Sequence, residues 1–308
     1  MFFYPLTHLP QVLLTLYSSY AIINSRGQLL QGGSIMSNSI QTDISAMNAS
    51  RNIKTHQKNI QSNMEKLASG YKINTAADDA AGLAISEKLK GELTGLEQAQ
   101  LNVQDTVSLL QTAEGGMSSI HNMLNRMVEL TTKASNGVYD TTVDRASIQA
   151  EINSMISEIN RVSKSINFNN KPLLDGSFKD VNFQIGADAD DVLTLTIGGL
   201  DAVALGLDKI DVSSPHKAQE AIQIVKDAIN QVSSERSNVG ATQNRLEYTM
   251  ANLEETYLNL AEANSRIRDV DYAKMMMEYT KNQLLEQVST TILTHRMSNA
   301  QNILQLFN

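Results

Sequence analysis

Five histidines, two acidic clusters, a glycine pair and a run of three methionines are the residues whose types and spacing invite chemistry. His8, His56, His121, His216 and His295 are scattered, and none pairs as His-Glu-x-x-His, the spacing that puts two zinc ligands on one helical face. His121 borders an apolar stripe and reads as the flank of a helix. Asp78-Asp79 could hold a hard cation, yet paired carboxylates ahead of an apolar run fit a helix start, where they cap backbone N–H groups and match the helix dipole. Asp188, Asp190 and Asp191 lack the spaced glycine and closing glutamate of a calcium loop. Gly115-Gly116 lies between apolar positions of a helix, and no Gly-Lys-Ser/Thr follows to cradle a phosphate. Met275-Met276-Met277 points in three directions on a helix and suits gap-filling at a packed joint better than a soft-metal site. The chain has no Cys, so thiolate ligands, cysteine nucleophiles and disulfides are all excluded. None of these residues argues for catalysis, and no metal or cofactor is implied.

Composition narrows the class further. The 25 Lys+Arg against 33 Asp+Glu give a net charge of −8, which argues against wholesale binding of nucleic acid. With no Trp and 5% aromatics, a core must come from Leu, Ile, Val, Ala and Met. Sixteen Gly and four Pro in 308 residues leave room for long uninterrupted helices.

Residues 1–35 differ from the rest. They hold Phe2, Phe3, Tyr4, Tyr17 and Tyr20, half of the prolines, and a single charge, Arg26. The apolar run Val12 to Ile23 is too short and too interrupted for a membrane span, and no basic segment precedes it as in a signal peptide. Gln31-Gly32-Gly33 can be encoded by a purine-rich ribosome-binding sequence two codons before Met36. The reading is of a doubtful leader over 1–35, with translation starting at Met36.

Beyond it the apolar spacing is helical. Ile53, Ile60, Met64 and Leu67 form a first stripe; Leu89, Leu93, Leu96, Val103, Val107, Leu110, Met117, Leu124 and Met127 a second, every step 3, 4 or 7. Ile148, Ile152, Met155, Ile159, Val162 and Ile166 form a third. Ile222 to Ile267 continues at largely seven-residue spacing, and Leu285, Val288, Ile292, Ile303 and Leu306 form a weaker last stripe. Sustained sevens require coiled-coil or bundle packing. The other faces carry Asn, Gln, Ser and Thr more than charge, which suits either packing against further copies or an ordinary bundle with an amide-rich surface. Val181, Phe183 and Ile185, then Leu193, Leu195 and Ile197, alternate with polar residues around a Gly186–Asp191 loop. This predicts one small β-hairpin, which must rest on the helices to be stable. The fold class is therefore mainly α, long antiparallel helices in a coiled-coil or bundle arrangement with a small β-hairpin in the middle.

Met64-Glu65-Lys66-Leu67-Ala68-Ser69-Gly70-Tyr71-Lys72-Ile73-Asn74, followed by Ala77-Asp78-Asp79-Ala80-Ala81-Gly82-Leu83-Ala84-Ile85-Ser86, resembles the amino-terminal signature of bacterial flagellin. Ser265-Arg266-Ile267-Arg268-Asp269-Val270-Asp271-Tyr272-Ala273-Lys274, then Ile303-Leu304-Gln305-Leu306, resembles the carboxyl-terminal one, and Asn167 to Leu174 a third segment. The resemblance spans Met36 to Asn308 and points to a short form lacking large variable outer domains.

It implies an inner coiled-coil layer from residues 36–78 and 266–308. It implies an outer helical domain from 79–175 and 213–265, with the hairpin and a short variable middle over 176–212. It further implies a filament subunit for motility whose partners are other copies of itself, an export chaperone, and hook-associated and cap proteins. It would be secreted through the flagellar apparatus without a cleaved signal peptide or membrane insertion. Carried over residue by residue, subunit packing falls to Leu67, Ile73, Asp78, Asp79, Leu83, Ile267, Arg268, Asp269, Leu304 and Leu306. Flagellins are also ligands of Toll-like receptor 5 through a Gln-Arg-x-Arg-Glu-Leu pattern. Here it reads Asn125-Arg126-Met127-Val128-Glu129-Leu130, so Arg126, Glu129 and Leu130 carry over and one arginine is lost, implying weaker recognition. The alternative is a hook-associated junction protein, which shares the arms but departs from the full Asp-Asp-Ala-Ala-Gly-Leu run. An enzyme built on this scaffold is disfavoured by the missing His-Glu-x-x-His.

Overall fold

The computed structural model describes residues 43–140 and 143–305; the expected leader and the Met36 start lie outside them. Five α-helices follow in order: α1 Ile44–Ser69, α2 Ala80–Ser135, α3 Asp144–Ser165, α4 Pro215–Arg268 and α5 Tyr272–Gln305. Between α3 and α4 come four short strands, β1 Asn167–Phe168, β2 Lys171–Pro172, β3 Val181–Gln184 and β4 Val192–Leu195, then a 3₁₀ turn at Leu207–Lys209. The helix starts obey local chemistry. Asp79 caps α2 by accepting from the Gly82 N–H at 3.0 Å, so the Asp78-Asp79 pair does mark a helix start. Ser214 caps α4 by accepting from the Lys217 N–H at 3.3 Å, with Pro215 in the first turn where its missing N–H costs nothing.

Residues 66–272 form one compact unit. Its core is the seam foreseen from the seven-residue spacing: Val103, Leu110, Met117 and Leu124 on α2, and Val225, Val232, Val239 and Leu246 on α4, all buried. The two helices run antiparallel, because Glu87 meets Arg268 while Glu114 meets Arg236. α3 adds Ile148, Ile152 and Ile159 to the same core.

The predicted hairpin is present. β3 and β4 pair antiparallel with Val181 opposite Leu195 and Phe183 opposite Leu193. Leu193 and Leu195 are buried in the helical core, and Asn102 of α2 donates its amide to the Gln184 carbonyl at 3.2 Å, so the hairpin does rest on the helices. A second hairpin, β1–β2, corrects the expectation of one strand pair. Its two-residue turn, Asn169-Asn170, has φ of 49° and 60°, the left-handed pair of a type I′ turn made without glycine. The stretch from Leu200 to Val212, expected to be a variable middle, places Leu200, Leu205, Leu207, Ile210 and Val212 in the core.

The described residues 43–65 and 273–305 belong to a second unit. Gln57 donates to Glu286 at 2.8 Å, and His56 lies 3.3 Å from the Asn282 side-chain oxygen. Within it only Ala49, Asn63 and Ser289 are buried among the described residues. Leu285, Val288 and Ile292, the last predicted stripe, remain exposed in the single chain.

Candidate functional site

The residues of the two terminal motifs converge at one joint inside the 66–272 unit. α1 ends where Gly70 takes φ +76°, a left-handed turn that a side chain disfavours and that an added Cβ would crowd, 3.3 Å from the Tyr272 hydroxyl. The chain then runs extended beside the end of α4. Tyr71 bridges Asp269 antiparallel; the Lys72 N–H donates to the Arg268 carbonyl at 2.7 Å, and the Val270 N–H to the Gly70 carbonyl at 3.0 Å. Tyr272 closes the turn by donating its hydroxyl to the Leu67 carbonyl at 3.3 Å. The two passages through which the chain leaves and re-enters this unit are thus pinned together.

Arg268 is the centre of the joint. Its guanidinium donates to Glu87 at 2.6 Å and to the Ser86 hydroxyl at 3.4 Å, and lies 4.7 Å from the centre of the Tyr71 ring. The side chain is only 16% exposed. Lys72 reaches the Arg266 carbonyl at 3.2 Å, tying the extended segment to the end of α4 a second time.

Asp78 and Asp79 organise the turn into α2. The Asp78 carboxylate accepts from the Thr75 N–H at 3.0 Å, the Thr75 hydroxyl at 3.1 Å and the Asn74 N–H at 3.3 Å, and pairs with Lys66 at 3.3 Å. These donors, the Thr75 N–H foremost, hold its pKa down to about 2 from the ordinary 3.8 against an opposing desolvation. Asp79 and the buried Ile73 close over Gly82, where an added Cβ would lie 2.5 Å from the Asp79 carboxylate and 2.8 Å from Ile73 Cδ1. A consequence follows for acid stability. A carboxyl with a depressed folded pKa stabilises the fold above its unfolded pKa, and that stabilisation disappears as pH falls from about 4 towards 2. Asp78→Asn should lower the melting temperature at pH 7 and flatten its fall over that range. Parallel pH profiles for both proteins would show that the carboxylate contributes nothing.

Of the predicted packing residues, Leu67, Ile73, Asp78, Asp79, Arg268 and Asp269 come together here, with Leu83 and Ile267 half-buried beside them in sequence. Their contacts in the single chain are intramolecular. Leu304 belongs to the last turn of α5, and Leu306 falls outside the described residues. Glu87 stands outside both motifs, and Lys66, Tyr71 and Ser86 stand within the first with no role assigned from sequence. Their partners lie up to 197 positions away, as for Tyr71 and Arg268, and no short motif signals such a contact.

The predicted receptor face lies near the carboxyl end of α2 and the amino-terminal half of α3. Arg126 donates to Glu129 at 2.7 Å and to Glu151 of α3 at 3.1 Å, all three exposed. Leu130 instead is buried, and Val128 is half-buried against the core. Glu151, 25 residues along the chain, joins the patch only because α3 returns antiparallel to α2. Among the described residues no group of three or more His, Asp or Glu is placed to hold a metal, and no helix is long and apolar enough to cross a membrane.

Comparison with known proteins agrees with both terminal motifs. A family model described as the bacterial flagellin N-terminal helical region matches residues 40–179, and one described as the C-terminal helical region matches residues 222–307. A flagellin of Bacillus subtilis (strain 168) is 42% identical over 300 aligned residues, covering 87% of this chain and 99% of that one. A flagellar filament 30.7 kDa core protein of Treponema maltophilum is 37% identical over 284, with the same coverage of 87% and 99%. Among solved structures, a putative flagellar hook-associated protein from Vibrio parahaemolyticus matches with a TM-score of 0.54 over 62% of this chain and 100% of that one. At 14% identity that likeness shows a shared fold alone.

Proposed function

The chain belongs to the bacterial flagellin family, and from that membership we propose that its copies join end on end through the apolar surfaces that its terminal helices leave open. A flagellin is a structural subunit of the flagellar filament and not an enzyme. The observation that carries the proposal is the unit formed by residues 43–65 and 273–305. Ile44, Met47, Leu284, Val288 and Ile292 are all exposed there, large apolar side chains left to water that another copy could cover. A head-to-tail contact that does not close on itself gives an open helical polymer, the symmetry a filament requires. Residues 36–78 and 266–308 would supply the inner layer, Leu304 and Leu306 included. Export through the flagellar channel and an escorting chaperone, with hook-associated and cap proteins at the ends, complete this reading. Seeding the purified chain with filament fragments and sedimenting it tests the proposal. The polymer should pellet, and a chain left wholly in the supernatant contradicts it.

Recognition by Toll-like receptor 5 is a second part of the proposal, supported by Arg126, Glu129 and their pairing with Glu151 on one exposed face. Leu130, being buried, would act by supporting that face rather than by touching a partner. Val128 stands where the family pattern has a second arginine, whose planar fork binds carboxylates in two-point fashion. Val128→Arg should raise receptor activation by the monomer about tenfold, equivalent to about 1.4 kcal/mol. Unchanged activation in reporter cells argues against this face as the recognition surface.

A further inference from the structure

Among the described residues the exposed methionines all lie in one of the two units, where Met275 alone is half-buried. Met117 and Met127, in the core of residues 66–272, are fully buried, and Met123, Met155 and Met250 pack half-buried against it. Met47, Met64, Met276, Met277 and Met297 are exposed, from 49% at Met276 to 67% at Met277, and all five lie within residues 43–65 and 273–305. Met276 and Met277, being adjacent on α5, project about 100° apart, so the thioethers are not confined to one side of that helix. Thioethers on an uncovered apolar surface are adaptable contacts for a partner and, until covered, accessible to oxidants.

We propose that these five methionines make polymerisation sensitive to peroxide, so that oxidation of the unassembled chain removes it from filament growth. The inference rests on the filament reading above. In the step itself a sulfur lone pair attacks one oxygen of hydrogen peroxide. The S–O bond forms, the O–O bond breaks, and the departing hydroxide takes up the proton to leave as water. The sulfur loses two electrons and the peroxide gains them. Each sulfoxide places a polar, chiral group on a surface that assembly must bury, where it lacks a hydrogen-bond partner. The buried Met117 and Met127 escape, and the half-buried Met123, Met155 and Met250 are held against the core, so residues 66–272 keep their fold.

The test treats the full chain with hydrogen peroxide before seeding. Peptide mass mapping should find the five exposed methionines oxidised ahead of Met117 and Met127. Seeded polymer should fall at least tenfold, the thermal unfolding of the 66–272 unit should stay in place, and methionine sulfoxide reductases of both stereospecificities should restore polymerisation. The combined variant Met47→Leu, Met64→Leu, Met276→Leu, Met277→Leu and Met297→Leu should polymerise equally well before and after peroxide. If that variant does not assemble at all, the reductase rescue of the natural chain decides. An oxidised chain that polymerises like the untreated one overturns the proposal, as does lost polymerisation that the reductases do not restore. An untreated chain that fails to grow on seeds removes the filament reading itself, and the proposal with it.

Discussion

Replacing Arg145 by methionine should destabilise residues 66–272 by about 3 kcal/mol, and lower the melting temperature by roughly 6–12 °C for a unit of this size. Arg145 is 4% exposed. Its Nε donates to the Ala134 carbonyl and a terminal nitrogen to the Asn136 carbonyl, each at 2.9 Å, while its own N–H donates to the Asp140 carbonyl at 3.1 Å. One guanidinium from the first turn of α3 thus closes the carboxyl end of α2, a helix of 56 residues whose last carbonyls have no intrahelical donor. The positive charge also faces the negative end of that helix dipole. Methionine fills much of the volume but leaves the buried Ala134 carbonyl without a donor, at about 1–3 kcal/mol, and strips the charged bond from the exposed Asn136 carbonyl, which keeps the Tyr139 N–H at 3.5 Å. Arg145→Lys keeps the charge but not the two-pronged geometry and should fall between the two. A methionine variant that melts within about 1 °C of the natural chain, below roughly 0.5 kcal/mol by the same scaling, would show that the carbonyls find other donors.

Arg268→Ala is the second large effect, and its readout is assembly as well as stability. The substitution removes the charged hydrogen bond to Glu87 and the stacking over Tyr71, together about 2 kcal/mol once the half-exposed position of Glu87 is allowed for. The backbone bridge from Lys72 and Val270 would persist but carry the joint alone. On the filament reading proposed above, loosening this joint should raise the critical concentration for seeded growth about tenfold. Glu87→Gln, which keeps the hydrogen bond but removes the charge, should have a smaller effect. An Arg268→Ala chain with the natural critical concentration would mean that the joint is dispensable for assembly.

The seam of α2 and α4 was legible because seven-residue spacing leaves few alternatives: Val103, Leu110, Met117 and Leu124 must face one way on a helix. Asp79 was legible as a cap because capping is local, and β3–β4 because alternation and a polar loop coincide over few residues. Where the physics is not local, sequence reading stops short. The β1–β2 turn uses Asn169-Asn170, and asparagine in the left-handed region signals a turn more weakly than glycine. Leu200, Leu205, Leu207, Ile210 and Val212 are core residues on an irregular path with no period to detect. At the joint the motifs pointed to Arg268 and Asp78, but not to what they touch. The cation over Tyr71 and the Arg126–Glu151 pair exist only once the helices have turned back on themselves. Val288 and Ile292 give the converse, a stripe read correctly as apolar that stays exposed among the described residues.

Amide hydrogen exchange on the chain before and after seeded growth tests the central claim most directly. If terminal helices are covered by other copies, exchange over residues 44–65 and 273–305 should slow by at least a hundredfold on polymerisation. Residues 103–134, already packed in the core of the single chain, should change little. A polymer whose terminal helices exchange as fast as those of the free chain would contradict the account.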